Sequence, residues 1–138
     1  MKLIPATLKK TELIRKKADF KRVLNEGTVL EDRYFITFLI CNGLPFSRIG
    51  ISIKKKFGYA VRRNRLKRLV KEVYRTKKMF FPSGYDILFI ARKELSDSFK
   101  RSNIGYTDIE NVILNITVNK MKRVNEYERS ITESDNFL

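Results

Sequence analysis

The sequence predicts an α+β fold of two layers, and three observations carry the prediction. Arg33 to Cys41 and Tyr85 to Ala91 are nearly continuous apolar runs rich in aromatic and β-branched residues, the pattern of buried strands. Arg48 to Ile53 is a shorter strand pattern that follows the turn chemistry of Asn42-Gly-Leu-Pro45. Between the second and third of these strands, Ala60 to Lys78 carries apolar residues at helical spacing. Strand, helix, strand in that order is a βαβ crossover, which makes those two strands parallel. A length of 138 residues suits one domain, and ten Phe and six Tyr within 43% hydrophobic residues supply a core.

Taken in order, Met1 to Lys16 is basic, carries Pro5 and has little periodicity, so it reads as a mobile arm. Lys17 to Gly27 reads as a short helix: Phe20, Val23 and Leu24 share a face, Asp19 suits the positive N-terminal end, and Gly27 is expected as a left-handed stop. In the first strand Tyr34, Ile36, Phe38 and Ile40 point one way and Phe35, Thr37, Leu39 and Cys41 the other. Both faces are apolar, so either both are covered or one presents aromatics to a ligand. Cys41 is expected as a small core residue. Arg48 to Ile53 is expected to form a hairpin with the first strand. Pro82-Ser-Gly84 closes the helical region, and Arg92 to Gly105 reads as a loop with a helical turn near Leu95 to Phe99. Asp108 to Met121 fits a helix through Ile109, Val112, Ile113 and Ile116, and equally a strand through Val112, Leu114, Ile116 and Val118. From Val124 the chain turns polar and acidic, and residues 123–138 are expected to be a disordered tail outside a domain spanning 1–122.

Charge bounds the function more tightly than composition does. Thirty Lys and Arg against fifteen Asp and Glu give a net charge of +15, a self-repulsion usually retained for a polyanion. An anionic membrane fits less well, because there is no apolar run of about 18 residues and the basic helix lacks a Trp- and Phe-bearing face. Met1 to Lys10 shows no signal-peptide apolar core, so a cytoplasmic location is expected. Histidine is absent and Cys41 is the only cysteine, which rules out an intramolecular disulfide, a Cys/His zinc site and histidine-based catalysis. The acids are scattered without a paired motif, so neither protein catalytic residues nor a protein metal site is expected.

The polyanion has an obvious place to bind. On the helical wheel Leu66, Leu69, Val70, Val73 and Tyr74 fall on one side, with Asn64, Lys67, Arg68, Lys71 and Arg75 opposite. From Lys54 to Lys78 there are twelve Lys or Arg and a single acid, Glu72, so the usual i,i+4 pairing of a solvated helix is nearly missing. Arg63, Asn64 and Arg65 stand at the helix start, where free backbone N–H groups favour an anion and guanidiniums grip phosphate oxygens two at a time. Gly58 either allows close backbone approach or serves only as a turn residue. No Gly-x-x-x-x-Gly-Lys-Ser/Thr loop occurs, and no second helix precedes the basic one at helix-turn-helix spacing, so a nucleotide-binding loop and duplex DNA are not expected.

The stretch Arg48-Ile-Gly-Ile-Ser-Ile-Lys-Lys-Lys-Phe-Gly-Tyr-Ala-Val-Arg-Arg-Asn-Arg-Leu-Lys-Arg68 closely resembles the signature of the bacterial ribonuclease P protein component. Ala18 to Gly27 is similar to that family's first helix and Ala91-Arg-Lys93 to its third strand end, so the resemblance spans about Leu13 to Met121. It implies an αβββαβα order around a central mixed sheet, a left-handed crossover through the basic helix and a final helix at Asp108 to Met121. It also implies a role as cofactor of a catalytic RNA that removes the 5′ leader of precursor tRNA, with Mg²⁺ held mainly by that RNA. By matching, Arg63, Asn64, Arg65, Lys67 and Arg68 would contact the RNA subunit. Phe20, Leu24, Phe38, Lys55 and Lys56 would hold the single-stranded leader. Tyr59 stands where the family usually has Asn, and Leu24 where an aromatic is frequent. The readings from other classes are a ribosomal or other structural RNA-binding protein and an autonomous metal-dependent nuclease.

Overall fold

A computed structural model describes residues 8–121; the expected tail at 123–138 and the first seven residues of the arm lie outside the described residues. The elements are α1 (Lys17–Glu26), β1 (Thr28–Glu31), β2 (Phe35–Cys41), β3 (Arg48–Ser52), α2 (Ala60–Thr76), β4 (Tyr85–Ala91), α3 (Lys93–Arg101) and α4 (Tyr106–Ile116). The α+β class and the αβββαβα order are present with one helix added, α3, where the sequence suggested a loop with one helical turn. The four strands form one mixed sheet in the order β1-β2-β4-β3.

That order corrects the expected hairpin between β2 and β3. β4 lies between them, antiparallel to β2 from Phe35↔Ala91 to Cys41↔Tyr85 and parallel to β3 from Arg48↔Asp86 to Ser52↔Ile90. The physical reason is burial: five of the seven β4 residues are buried, so this most apolar strand takes the centre, where both of its edges and both faces are covered. The hairpin partner of β2 is instead β1, an edge strand joined to it by a turn in which Asp32 Oδ1 accepts the Tyr34 N–H at 2.8 Å.

The two sheet faces have unequal cover. Phe35, Leu39, Ile49, Ile87 and Phe89 face α2 and α4 and join Leu66, Val70, Val73, Ile109, Ile113 and Ile116 in the main core. The alternation that reads as either strand or helix at Asp108 to Met121 resolves as α4, which continues in one π turn, Thr117–Met121, and buries Ile116 and Met121. On the opposite face Phe38, Ile40 and Ile90 pack against Leu88, Ile14 and Val23, the last carried by α1. Cys41 is exposed rather than a core residue: it keeps the inward parity of Phe35 and Leu39 but ends β2 beyond the helices' cover.

Gly27 ends α1 for a different reason than the one expected. Its φ is −73° and ψ 155°, extended backbone open to any residue, yet a Cβ there would overlap the Val23 carbonyl oxygen, which accepts the Gly27 N–H at 2.9 Å. Close approach, not handedness, demands the glycine. From Lys9 onward the stretch read as an arm is attached: Lys10–Glu12 form a 3-10 turn, Leu13 bridges Ile49, and Ile14 N–H donates to the Ile49 carbonyl at 2.8 Å.

Candidate nucleic-acid interface

The outer face of α2 is built by what its inner face must do. Leu66, Val70, Val73 and Tyr74 are buried against the sheet, which forces Asn64 and Arg68 outward, both exposed, with Arg63, Arg65, Lys67 and Lys71 half-buried beside them. The one acid of the helix, Glu72, is taken by Arg75, whose guanidinium holds its carboxyl below the usual carboxylate range. Arg62, Arg63, Arg65, Lys67, Arg68 and Lys71 meet no carboxylate among the described residues. The first turn of α2 has no acid, and its N-cap residue Tyr59 makes no side-chain capping bond, so the positive helix pole adds to the side-chain charge.

A second helix leans on this face. Arg65 donates to Asn103 Oδ1 at 3.0 Å and lies 6.0 Å from the Phe99 ring centroid. Phe99 in turn meets Phe57 edge to face at 5.5 Å, and Ser96 Oγ donates to the Phe57 carbonyl at 2.5 Å. These contacts pin α3 to the loop before α2. That loop turns at Gly58 with φ 156°, a conformation that side-chain-bearing residues rarely adopt, so the turn itself requires the glycine.

Where α1 stops covering the sheet, a cleft of about 500 Å³ opens. Its floor is Ile36 and Ile90, cross-strand partners one row beyond Phe38 and Leu88, and its cations are Lys54, Lys56, Arg92, Lys93 and Lys100. An apolar floor with a cationic rim is chemistry suited to a single strand, whose bases can leave water while phosphates meet ammonium groups.

The ten residues singled out in the sequence divide accordingly. Arg63, Asn64, Arg65, Lys67 and Arg68 share α2, while Lys56 lines the cleft and Lys55 is exposed on the adjoining 3-10 turn. Phe38 does not line the cleft: it lies one row beyond its floor, packed beneath α1, and Leu24 is 44% exposed on that helix. Phe20 does not reach the cleft. It lines a separate depression of about 250 Å³, together with Ile49 and Gly50 of β3 and Lys67 and Lys71 of α2. Missed by sequence reasoning were Ile36, Lys54, Ile90, Arg92, Lys93 and Lys100. The parity of β2 carried a signal for Ile36; for Lys93 and Lys100 the signal was their seven-residue spacing, legible only once α3 is known to be a helix.

Comparisons with known proteins agree with the fold. The Ribonuclease P family profile matches residues 8–106. A ribonuclease P protein component from Petrotoga mobilis is 46% identical over 110 residues, 80% of this chain and 92% of that protein. Its counterpart from Thermotoga maritima is 42% identical over 76% of this chain and 88% of its own length. Among solved structures, the Thermotoga maritima ribonuclease P protein superposes with a TM-score of 0.72 at 39% identity, covering 78% of this chain and 96% of that one. The Staphylococcus aureus ribonuclease P protein superposes with a TM-score of 0.68 at 32% identity, covering 80% and 97%.

Proposed function

Because the chain belongs to the ribonuclease P protein component family and is thus the protein subunit of a ribonucleoprotein endoribonuclease, we propose a division of labour between its two basic surfaces. The outer face of α2 docks on the catalytic RNA through Arg63, Asn64, Arg65, Lys67 and Arg68. The cleft beside it receives the 5′ leader of precursor tRNA. Lys54, Lys56, Lys93 and Lys100 meet leader phosphates, and Ile36 and Ile90 offer the apolar floor against which unpaired bases lie, with Phe38 packed one row further under α1. In this reading Lys55 and Leu24 flank the strand's path. Phe20 acts at the depression it shares with Lys67 and Lys71 of α2, which no cleft residue lines.

The observation that carries this reading is the row of six α2 cations without a carboxylate partner among the described residues. Water and counterions neutralise such a row in the free protein, and releasing those counterions drives RNA binding. The protein's contribution to the reaction is affinity, orientation and charge neutralisation. Mg²⁺ belongs to the RNA in this reading: among the described residues no three acidic or cysteine side chains converge as a metal site. No helix among the described residues is long and apolar enough to cross a membrane, and the reading places the assembly in the cytoplasm.

Precursor tRNA cleavage tests the proposal with the purified protein alone, a bacterial ribonuclease P RNA alone, and both together at low Mg²⁺. Cleavage is expected only from the pair under those conditions. Cleavage by the protein alone would make it an autonomous nuclease, and RNA binding with no gain in cleavage would make it a structural RNA-binding protein.

A further inference from the structure

Tyr59 and Val61 are, with Met79, the most exposed large apolar side chains among the described residues, at 82% and 78%. Single exposed apolar residues are ordinary, but these two flank the first residue of α2 and rise from a surface of one sign. Lys54, Lys55 and Lys56 stand exposed just before them. Arg62 folds back along Gly58, where a Cβ would meet its Cδ at 3.2 Å and its Nη1 at 3.9 Å. Helical spacing puts Val61 in one row with Asn64, Arg65 and Arg68, three, four and seven residues on. Neither Tyr59 nor Val61 lines the cleft.

A cationic face that met only a duplex backbone would have no use for an aromatic ring held open at its edge. An unpaired nucleotide has use for both: its phosphate takes the cations and the face of its base takes the ring. We propose that Tyr59 and Val61 form a stacking platform for one unpaired nucleotide of the RNA subunit, with Arg62 and Lys55, neither of which lines the cleft, holding its flanking phosphates. The RNA subunit, rather than the substrate, is the occupant because Val61 continues the α2 row and lies away from the cleft. The inference rests on the reading of that row as the RNA-docking face.

Binding of labelled ribonuclease P RNA by the full chain tests it, comparing Tyr59→Phe, Tyr59→Ala and Lys55→Ala over a range of salt. Tyr59→Ala is expected to bind about 5- to 150-fold more weakly while Tyr59→Phe keeps its affinity. The slope of log affinity against log salt is expected to be unchanged by Tyr59→Ala and reduced by about 0.7 to 0.9 by Lys55→Ala. Unchanged affinity in Tyr59→Ala overturns the platform, and an equal loss in Tyr59→Phe overturns stacking in favour of the hydroxyl. A defect seen only when the assembled ribonucleoprotein binds precursor tRNA overturns the assignment to the RNA subunit. The underlying reading fails separately, if Arg65→Glu with Arg68→Glu leaves RNA-subunit binding intact. At so exposed a site all Tyr59 variants are expected to melt with the parent protein, which circular dichroism checks.

Discussion

Asp86 shows how one residue ties the interior to the interface. It is 1% exposed at the start of β4, and Arg48 answers it twice, at 2.8 and 2.6 Å, with Asn42 Nδ2 adding a bond at 3.0 Å. The Asp86 bonds raise the Arg48 guanidinium's pKa against the cost of burial, and a third contact carries Arg48 to Asp19 on α1 at 3.4 Å. Asp86→Ala leaves the partly buried Arg48 only its 3.4 Å contact with Asp19 and is expected to cost about 3 kcal/mol in chemical denaturation. A loss below about 1 kcal/mol would mean the pair is solvated. Tyr74 supplies a pH signature. Burial, and then the nearby Glu12 charge, push its hydroxyl up to about 12 from 10. The neutral phenol is the form the fold favours, so its contribution is complete below about pH 10 and disappears as pH rises towards about 12. Alkaline titration of stability should therefore fall less steeply in Tyr74→Phe than in the parent; parallel curves would contradict the assignment. For Phe20→Ala, the preference for precursor over mature tRNA is expected to shrink by about 1–3 kcal/mol if the ring stacks on a base. An equal loss for both substrates would give Phe20 a packing role alone, against Gly50, where its Cε1 already stands 3.1 Å from the position of a Cβ.

At the scale of elements, α2 is the best test of the docking surface. Reversing Arg65 and Arg68 to Glu is expected to weaken RNA-subunit binding by roughly 1.5–3 kcal/mol per contact, measured by filter binding or anisotropy. Gly27→Ala probes the end of α1: the new methyl meets the Val23 carbonyl, and overpacking of that kind costs about 1–3 kcal/mol in thermal or chemical unfolding. These elements also show what the sequence could disclose. The inner and outer faces of α2 were legible because spacing and charge are local properties of Leu66 to Arg75. The burial of Tyr85 to Phe89 was legible because a nearly continuous apolar run has few other uses. The pairing of β4 with both β2 and β3 was not, since nothing in Arg48 to Ile53 records which strand will lie beside it. α3 was missed because Ser96, Asp97 and Ser98 suit turns, and only the docking of Leu95 and Phe99 makes them helical. Cleft residues Lys93 and Lys100 were lost with it, whereas Lys56, which also lines the cleft, was named through the resemblance of its stretch to the family signature.

For the whole molecule the governing quantity is a charge of +15 concentrated on one segment, with twelve of thirty cations between Lys54 and Lys78. Affinity for the RNA subunit should fall linearly with salt on logarithmic axes, and each phosphate-binding cation removed from α2 should lower the slope by about 0.7 to 0.9. A slope insensitive to those substitutions would place the docking surface elsewhere. The central position of β4 has a further effect, on the order of events during synthesis. The amino-terminal part of a chain leaves the ribosome first, so the β2 and β3 segments emerge before the strand that pairs with both, and the sheet cannot close until Ala91 follows. α2 is out before then, and an isolated helix of this length is marginal in water without a surface to dock on. The nascent chain therefore presents its densest run of cations before it has a core, beside a ribosome whose own surface is largely RNA.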